Sequence, residues 1–235
     1  MAAKKSIAPF DGFPPELFDF FKQLSENNQR DWFAANRDSY EQHYLDPALA
    51  YIQAVGEKLD KVSRQLTAVP KKSGGSLMRI YRDTRFSKDK TPYKTNIGIH
   101  FRHQRLTDIH APGFYVHIEP KECFVAAGVW LPPREALNLI RQTIDEDRPA
   151  WKRVLKHEKF SRQFKLVGES LKSAPRGYSI DHPLIEDLRR TSYCGLVSVT
   201  NTKVMRKDFV DQSIELFHQA RPLMKFLCDA LGLPY

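Results

Sequence analysis

The sequence predicts an α+β fold, an antiparallel sheet with a three-strand meander at about residues 96–131 packed on N-terminal and C-terminal helices. Three observations carry this. Apolar residues recur at helical spacing before residue 63 and after residue 207. Between 96 and 131 the period drops to two, with one apolar face. Strand and helix patterns follow no regular strand-helix-strand rhythm, which argues against a parallel α/β sheet.

Pro14-Pro15-Glu16 opens a helix to about Leu24, with Leu17, Phe20, Phe21 and Leu24 on its buried face. Asn27-Asn28 ends it, and Asp31 begins a helix carrying Trp32, Phe33, Asn36 and Tyr40, three of them core aromatics. Pro47 is expected to interrupt that helix and to open a third, running to about Ser63 with Leu49, Ile52, Val55 and Leu59 inward. Asn27, Asn28 and Arg30 either cap these helices or reach toward the basic stretch described below. Ile97, Ile99 and Phe101 alternate with Gly98, His100 and Arg102, and Phe114, Val116 and Ile118 alternate with Tyr115, His117 and Glu119. The third strand, Cys123–Leu131, carries Ala126, Ala127 and Gly128, small residues that leave room above the sheet. A helix from Arg134 to about Ile144, a short helix after Pro149, a weak strand at 160–167, a loop at 173–183 and a strand at 196–200 follow. A long helix from Lys207 to about Leu231 ends at Gly232. Residues 1–9 read as a disordered tail without the apolar core of a secretory signal, and residues 10–235 as one domain.

Charge is distributed unevenly. The chain has 37 Lys/Arg and 28 Asp/Glu, yet residues 71–105 alone hold ten Lys/Arg and two Asp. The remaining 200 residues are nearly neutral, so this basic patch asks for an anion. Within it, Arg79, Arg82 and Arg85 are three apart, with Lys88, Lys90 and Lys94 beyond. A planar guanidinium grips phosphate or carboxylate with two bonds, and lysine adds point charge. Tyr81, Phe86, Pro92 and Tyr93 point to packed rather than loose backbone. Arg79, Arg82, Arg85, Lys88, Lys94 and Tyr93 are therefore the candidate ligand-binding residues. A solvated charged loop is the bland alternative, and in it Ser87 would merely cap a helical turn.

The run Arg79-Ile80-Tyr81-Arg82-Asp83-Thr84-Arg85-Phe86-Ser87-Lys88-Asp89-Lys90-Thr91-Pro92-Tyr93-Lys94 resembles the signature of an uncharacterised conserved hypothetical family, domain of unknown function 2461. Asn27-Asn28 with Asp31-Trp32-Phe33 resembles its N-terminal signature. Pro175-Arg176-Gly177-Tyr178 and Asp181-His182-Pro183 resemble it too. The similarity runs from about Phe13 to the last helix. It brings no established activity, so it carries over no catalytic residue.

The residues themselves offer one chemical constellation. If the first two meander strands form a hairpin with Arg102 opposite Tyr115, His100 lies opposite His117, with Glu119 nearby. Two imidazoles at cross-strand distance suit acid–base chemistry or a metal, so His100, His117 and Glu119 are the catalytic candidates and the two histidines the metal candidates. A solvated sheet face is the competing reading. Ser87-Lys88-Asp89-Lys90 matches Ser-x-x-Lys without its supporting elements. Cys123, Cys194 and Cys228 are too few and too far apart for a disulfide framework or zinc ribbon, which fits buried thiols in a cytoplasmic protein. His182 either fixes its loop by hydrogen bonding or joins the anion site, and Arg189 and Arg190 are expected to be solvated.

Three function classes remain. The first is a binder of a phosphate- or carboxylate-bearing small molecule, with or without a reaction. The second is a nucleic-acid module that neutralises backbone and stacks bases. The third is an interaction domain for an acidic partner. No apolar run approaches membrane-spanning length. No cofactor and no oligomeric state can be read from the residues.

Overall fold

The computed structural model describes residues 6–105, 110 and 112–235. Helix α1 (Glu16–Glu26) buries Leu17, Phe20, Phe21 and Leu24, the face its spacing predicts. Each such side chain contributes roughly 1.5–3 kcal/mol when removed from water. Helix α2 (Arg30–Ala35) stops at Asn36, whose side chain donates to the Trp32 carbonyl 2.9 Å away. The short α3 (Arg37–Ser39), a π-helical turn at Tyr40–Leu45 and α4 (Asp46–Leu59) then form one continuous helical path. The interruption expected at Pro47 is thus corrected. Pro47 lies in the first turn of α4, and the wider π turn before it accommodates the missing N–H.

Strands β1 (Ile97–Arg102), β2 (Gly113–Ile118) and β3 (Cys123–Val129) form the expected meander. Helices α5 (Arg134–Glu146), α6 (Arg148–Lys156) and α7 (Glu158–Ser161) follow, and only residues 165–167 of the weak 160–167 run become a strand, β4. After α8 (Ile185–Leu188), strand β5 (Tyr193–Val199) completes an antiparallel sheet in the order β1-β2-β3-β5-β4. The chain ends in α9 (Asn201–Val204), α10 (Phe209–Gln219) and α11 (Arg221–Ala230). The last two replace the single long helix expected, because Pro222 in the first turn of α11 cannot continue the α10 hydrogen-bond ladder. The fold class is α+β.

One sheet face carries Ile97, Ile99, Phe101, Phe114, Val116, Ile118 and Val125, all fully buried. They join one hydrophobic cluster with Tyr51, Phe209 and Phe217, and Phe114 stacks on Phe217 at 4.1 Å. Residues 76–78 cover the outer edge of β1. The His100 amide donates to the Ser76 carbonyl at 2.8 Å, and the Met78 amide to the Gly98 carbonyl at 2.9 Å. The expected tail at 1–9 falls outside the described residues at 1–5, while Ile7 packs against the hydrophobic cluster.

Candidate functional site

Cross-strand contact between Tyr81 and Tyr93 pins the base of the basic segment, with the Lys94 amide donating to the Ile80 carbonyl at 2.7 Å and the Arg82 amide to the Pro92 carbonyl at 2.9 Å. Asn28 holds this base from the N-terminal helices. Its Nδ2 donates to the Tyr93 carbonyl and its Oδ1 accepts from the Tyr93 amide, both at 3.0 Å. The side-chain amide thereby stands in for a neighbouring strand. Phe33 stacks on the Tyr93 ring at 4.1 Å. Asn28 therefore reaches the basic stretch, whereas Asn27 turns back to the Gln23 carbonyl of its own helix.

Beyond this clamp the loop is open. No helix forms between Arg79 and Lys94, so Ser87 caps nothing there. Phe86 is 95% exposed and Tyr81 50%, which corrects the expectation that these aromatics pack; Tyr93 alone of the three is buried.

The five cations divide into groups. Arg82 pairs with Asp89 and donates to Thr91 Oγ1 at 2.6 Å. Arg85 makes a fork with Asp83, through bonds of 3.0 and 2.7 Å. Asp83 is held down to about 2, first by the Arg85 side chain and then by the Arg85 amide. Asp89 is likewise held down to about 2, first by the Thr91 amide and then by Arg82. Lys88 is exposed. Like Lys88, Arg79 and Lys94 have no carboxylate within 4 Å among the described residues; Arg79 is exposed and adds its charge to those that lower Asp83, and Lys94 is the one of the three that is partly buried. Burial, then the neighbouring Arg79 charge, holds the half-buried Lys94 ammonium below its ordinary value.

The histidine constellation needs a correction in register. Arg102 faces Gly113, His100 faces Tyr115, and His117 faces Gly98, so the two histidines are diagonal rather than opposite. A shift of two residues preserves every side chain's face, so alternation alone does not reveal it. The glycines show why this register fits. A Cβ at Gly113 would lie 2.6 Å from His100 Nε2, and one at Gly98 would lie 2.6 Å from the Tyr115 hydroxyl. His117 lies between Tyr115 and Glu119. Its Nδ1 is 3.3 Å from the Tyr115 hydroxyl, its Nε2 is 3.4 Å from Glu119 Oε2, and its ring stacks on Phe124 at 4.7 Å. Burial, then the Glu119 charge, pushes the Tyr115 phenol up to about 12. Among the described residues no three His, Cys, Asp or Glu are placed to hold a metal ion.

This second sheet face is recessed rather than freely solvated. A cavity of about 490 Å³ is bounded by Met78, His100, Tyr115, Phe124, Trp130 and Leu196, over small residues at Gly113, Ala126 and Gly128. Ala126, Ala127 and Gly128 all line it, as their size suggests. None of the five candidate cations lines it. Phe124 and Leu196, bulky apolar residues at outward strand positions, were the sequence signal for this wall; Met78 offered none. Cys194 also lines the cavity, but burial pushes its thiol up to about 12, which fits a structural rather than a nucleophilic cysteine.

Other polar residues serve structure. His182 Nε2 meets Asp145 at 2.9 Å while its Nδ1 accepts from the Leu184 amide at 3.1 Å. Arg189 is not a solvated charge, since its guanidinium donates to the Leu171 and Lys172 carbonyls. His103, fully buried, contacts the Pro234 carbonyl at 2.8 Å, and Arg141 donates to the Leu188 and Arg190 carbonyls. Neither of these two stood out in the sequence.

A family model described as a conserved hypothetical protein, DUF2461, matches residues 16–226. The chain belongs to this family. The two DUF2461-like signatures at 27–33 and 79–94 are the segments joined by the Asn28–Tyr93 clamp and the Phe33–Tyr93 stack. No curated protein and no solved structure matches the chain significantly. Among the described residues no helix is long and apolar enough to cross a membrane.

Proposed function

We propose that the protein binds a small phosphate- or carboxylate-bearing ligand, with Arg79 and Lys94 as the recognising pair and Arg82, Arg85 and Lys88 adding positive field. The observation carrying this is the half-buried Lys94 ammonium beside the exposed Arg79, neither within 4 Å of a carboxylate among the described residues. Like charges 4 Å apart cost about 1 kcal/mol in water and several-fold more where water is thinned. A bound anion would remove that cost and stabilise the fold by RT ln(1 + [L]/Kd). Thermal unfolding against sulfate, sugar phosphates, nucleotides and dicarboxylates, each with and without divalent metal, tests the reading. Ligand at tenfold Kd contributes about 1.4 kcal/mol, or roughly 3–6 °C for a chain of this size. Lys94→Ala and Arg79→Ala should remove the shift without destabilising the free protein. No shift beyond matched chloride would defeat the proposal.

A second reading rests on Phe86. Its ring is 95% exposed at the tip of the basic loop, with the Arg85 guanidinium 5.8 Å from its centroid. An exposed ring among cations suits stacking with a nucleic-acid base while Lys88 and Lys90 meet phosphates. On this reading affinity for single strands falls steeply with salt, and Phe86→Ala weakens binding without altering that slope.

A further inference from the structure

The cavity on the outer sheet face carries an inference separate from the anion reading. It combines a recess in the sheet face, apolar walls and the Tyr115 phenol. At about 490 Å³ it falls within the size range of small-molecule sites. Phe124, Leu196, Met78 and the half-exposed Trp130 supply apolar surface, and Ala126 supplies a flat floor. One wall is Tyr115, whose phenol crosses β1 at Gly98, where any side chain would collide with it. Behind the phenol stand His117 and Glu119, in a chain of contacts at 3.3 and 3.4 Å.

The order of that chain sets its polarity. A carboxylate has only acceptors, so the neutral imidazole that carries its hydrogen on Nε2 is the tautomer suited to Glu119 at 3.4 Å, and it leaves Nδ1 to accept the Tyr115 hydrogen. The Phe124 ring, stacked parallel to the imidazole within 5°, holds His117 in that orientation. The Tyr115 oxygen then has its lone pairs left for a ligand. We infer that this cavity is a binding site for a flat, largely apolar molecule that donates a hydroxyl or N–H hydrogen to the Tyr115 oxygen, with His117 and Glu119 as positioning residues. The site takes a hydrogen-bond donor on an apolar ring system, a class different from the anion sought by Arg79 and Lys94.

Indole and its hydrocarbon counterpart indene provide the test, since they share shape and differ in the N–H. Ligand-observed NMR titration should show indole binding the wild-type protein about five- to tenfold tighter than indene, the factor expected for one hydrogen bond. Tyr115→Phe should keep indene affinity and bring indole down to it. Ala126→Leu, filling the floor, should weaken both probes. Lys94→Ala should change neither, which separates this site from the anion site. Thermal unfolding of each variant confirms that it is folded. If wild-type protein binds neither probe, or Tyr115→Phe keeps the preference for indole, the inference is overturned.

Discussion

Replacing Asn28 with alanine removes two hydrogen bonds that tie residues 65 apart, those to the Tyr93 amide and carbonyl at 3.0 Å each. Tyr93 is only 5% exposed, so its backbone groups have little water to fall back on. A net hydrogen bond is worth about 0.5–1.5 kcal/mol, and a buried group left unpaired costs about 1–3 kcal/mol. Asn28→Ala should therefore destabilise by about 2–3 kcal/mol, lowering the thermal midpoint by roughly 4–12 °C. Asn27→Ala is the internal control, because Asn27 makes one exposed bond to its own helix at the Gln23 carbonyl. It should cost less than about 1 kcal/mol. Urea unfolding of the two variants gives the comparison, and native-state hydrogen exchange should show faster exchange at the Tyr93 and Lys94 amides in Asn28→Ala. Equal midpoints for the two variants would refute the claim that Asn28 fastens the basic segment to the helices.

Acid should weaken the loop specifically. Asp83 and Asp89, held down to about 2 when folded, favour the fold above the ordinary carboxylate range near 4, and that contribution fades as pH falls toward 2. Both are exposed and screened, so the effect is small, and Asp89→Asn should flatten the midpoint between pH 5 and 2 relative to wild type. The thiols should be inert. Burial pushes Cys194 and Cys228 up to about 12, so a disulfide reagent at pH 8 should react with these two on the order of a thousand-fold more slowly in native than in denatured protein, and Cys123, raised as well, should also be slowed. A rapidly reacting native thiol would contradict this. Limited proteolysis should yield no stable fragment covering only residues 95–235, because the buried sheet face packs on Tyr51 and its neighbours from the N-terminal helices. A folded fragment of that extent would show the two parts to be independent.

Much of the architecture was legible because local rules and tertiary packing agree. The spacing of Leu17, Phe20, Phe21 and Leu24 and the alternation through Ile97, Ile99 and Phe101 each mark a face that is in fact buried. What was hidden depends on partners distant in sequence. Period-two alternation is unchanged by a two-residue slip, so the register opposite His100 depends on how Gly98 and Gly113 receive Tyr115 and His100. Pro47 was read as a break because a π turn has no sequence signature here. Composition located the cations without saying which of them would pair. Asp89 and Asp83 claim Arg82 and Arg85, and that sharing is a matter of loop geometry. Asn28 was open between a helix cap and a reach to the basic stretch, since nothing in its neighbourhood singles out Tyr93 as its partner.

Lys94 offers the most direct test of the proposed anion site. Burial and the charge of Arg79 hold its ammonium below the ordinary lysine value, and an anion seated on the pair would favour the charged form. Side-chain NMR of lysine-labelled protein, with Lys94 assigned by its substitution, follows the titration in phosphate and in chloride of equal ionic strength. The account predicts that the Lys94 midpoint moves upward in phosphate, and that Arg79→Ala raises it in chloride as well. A Lys94 titration that is identical in the two salts would contradict it.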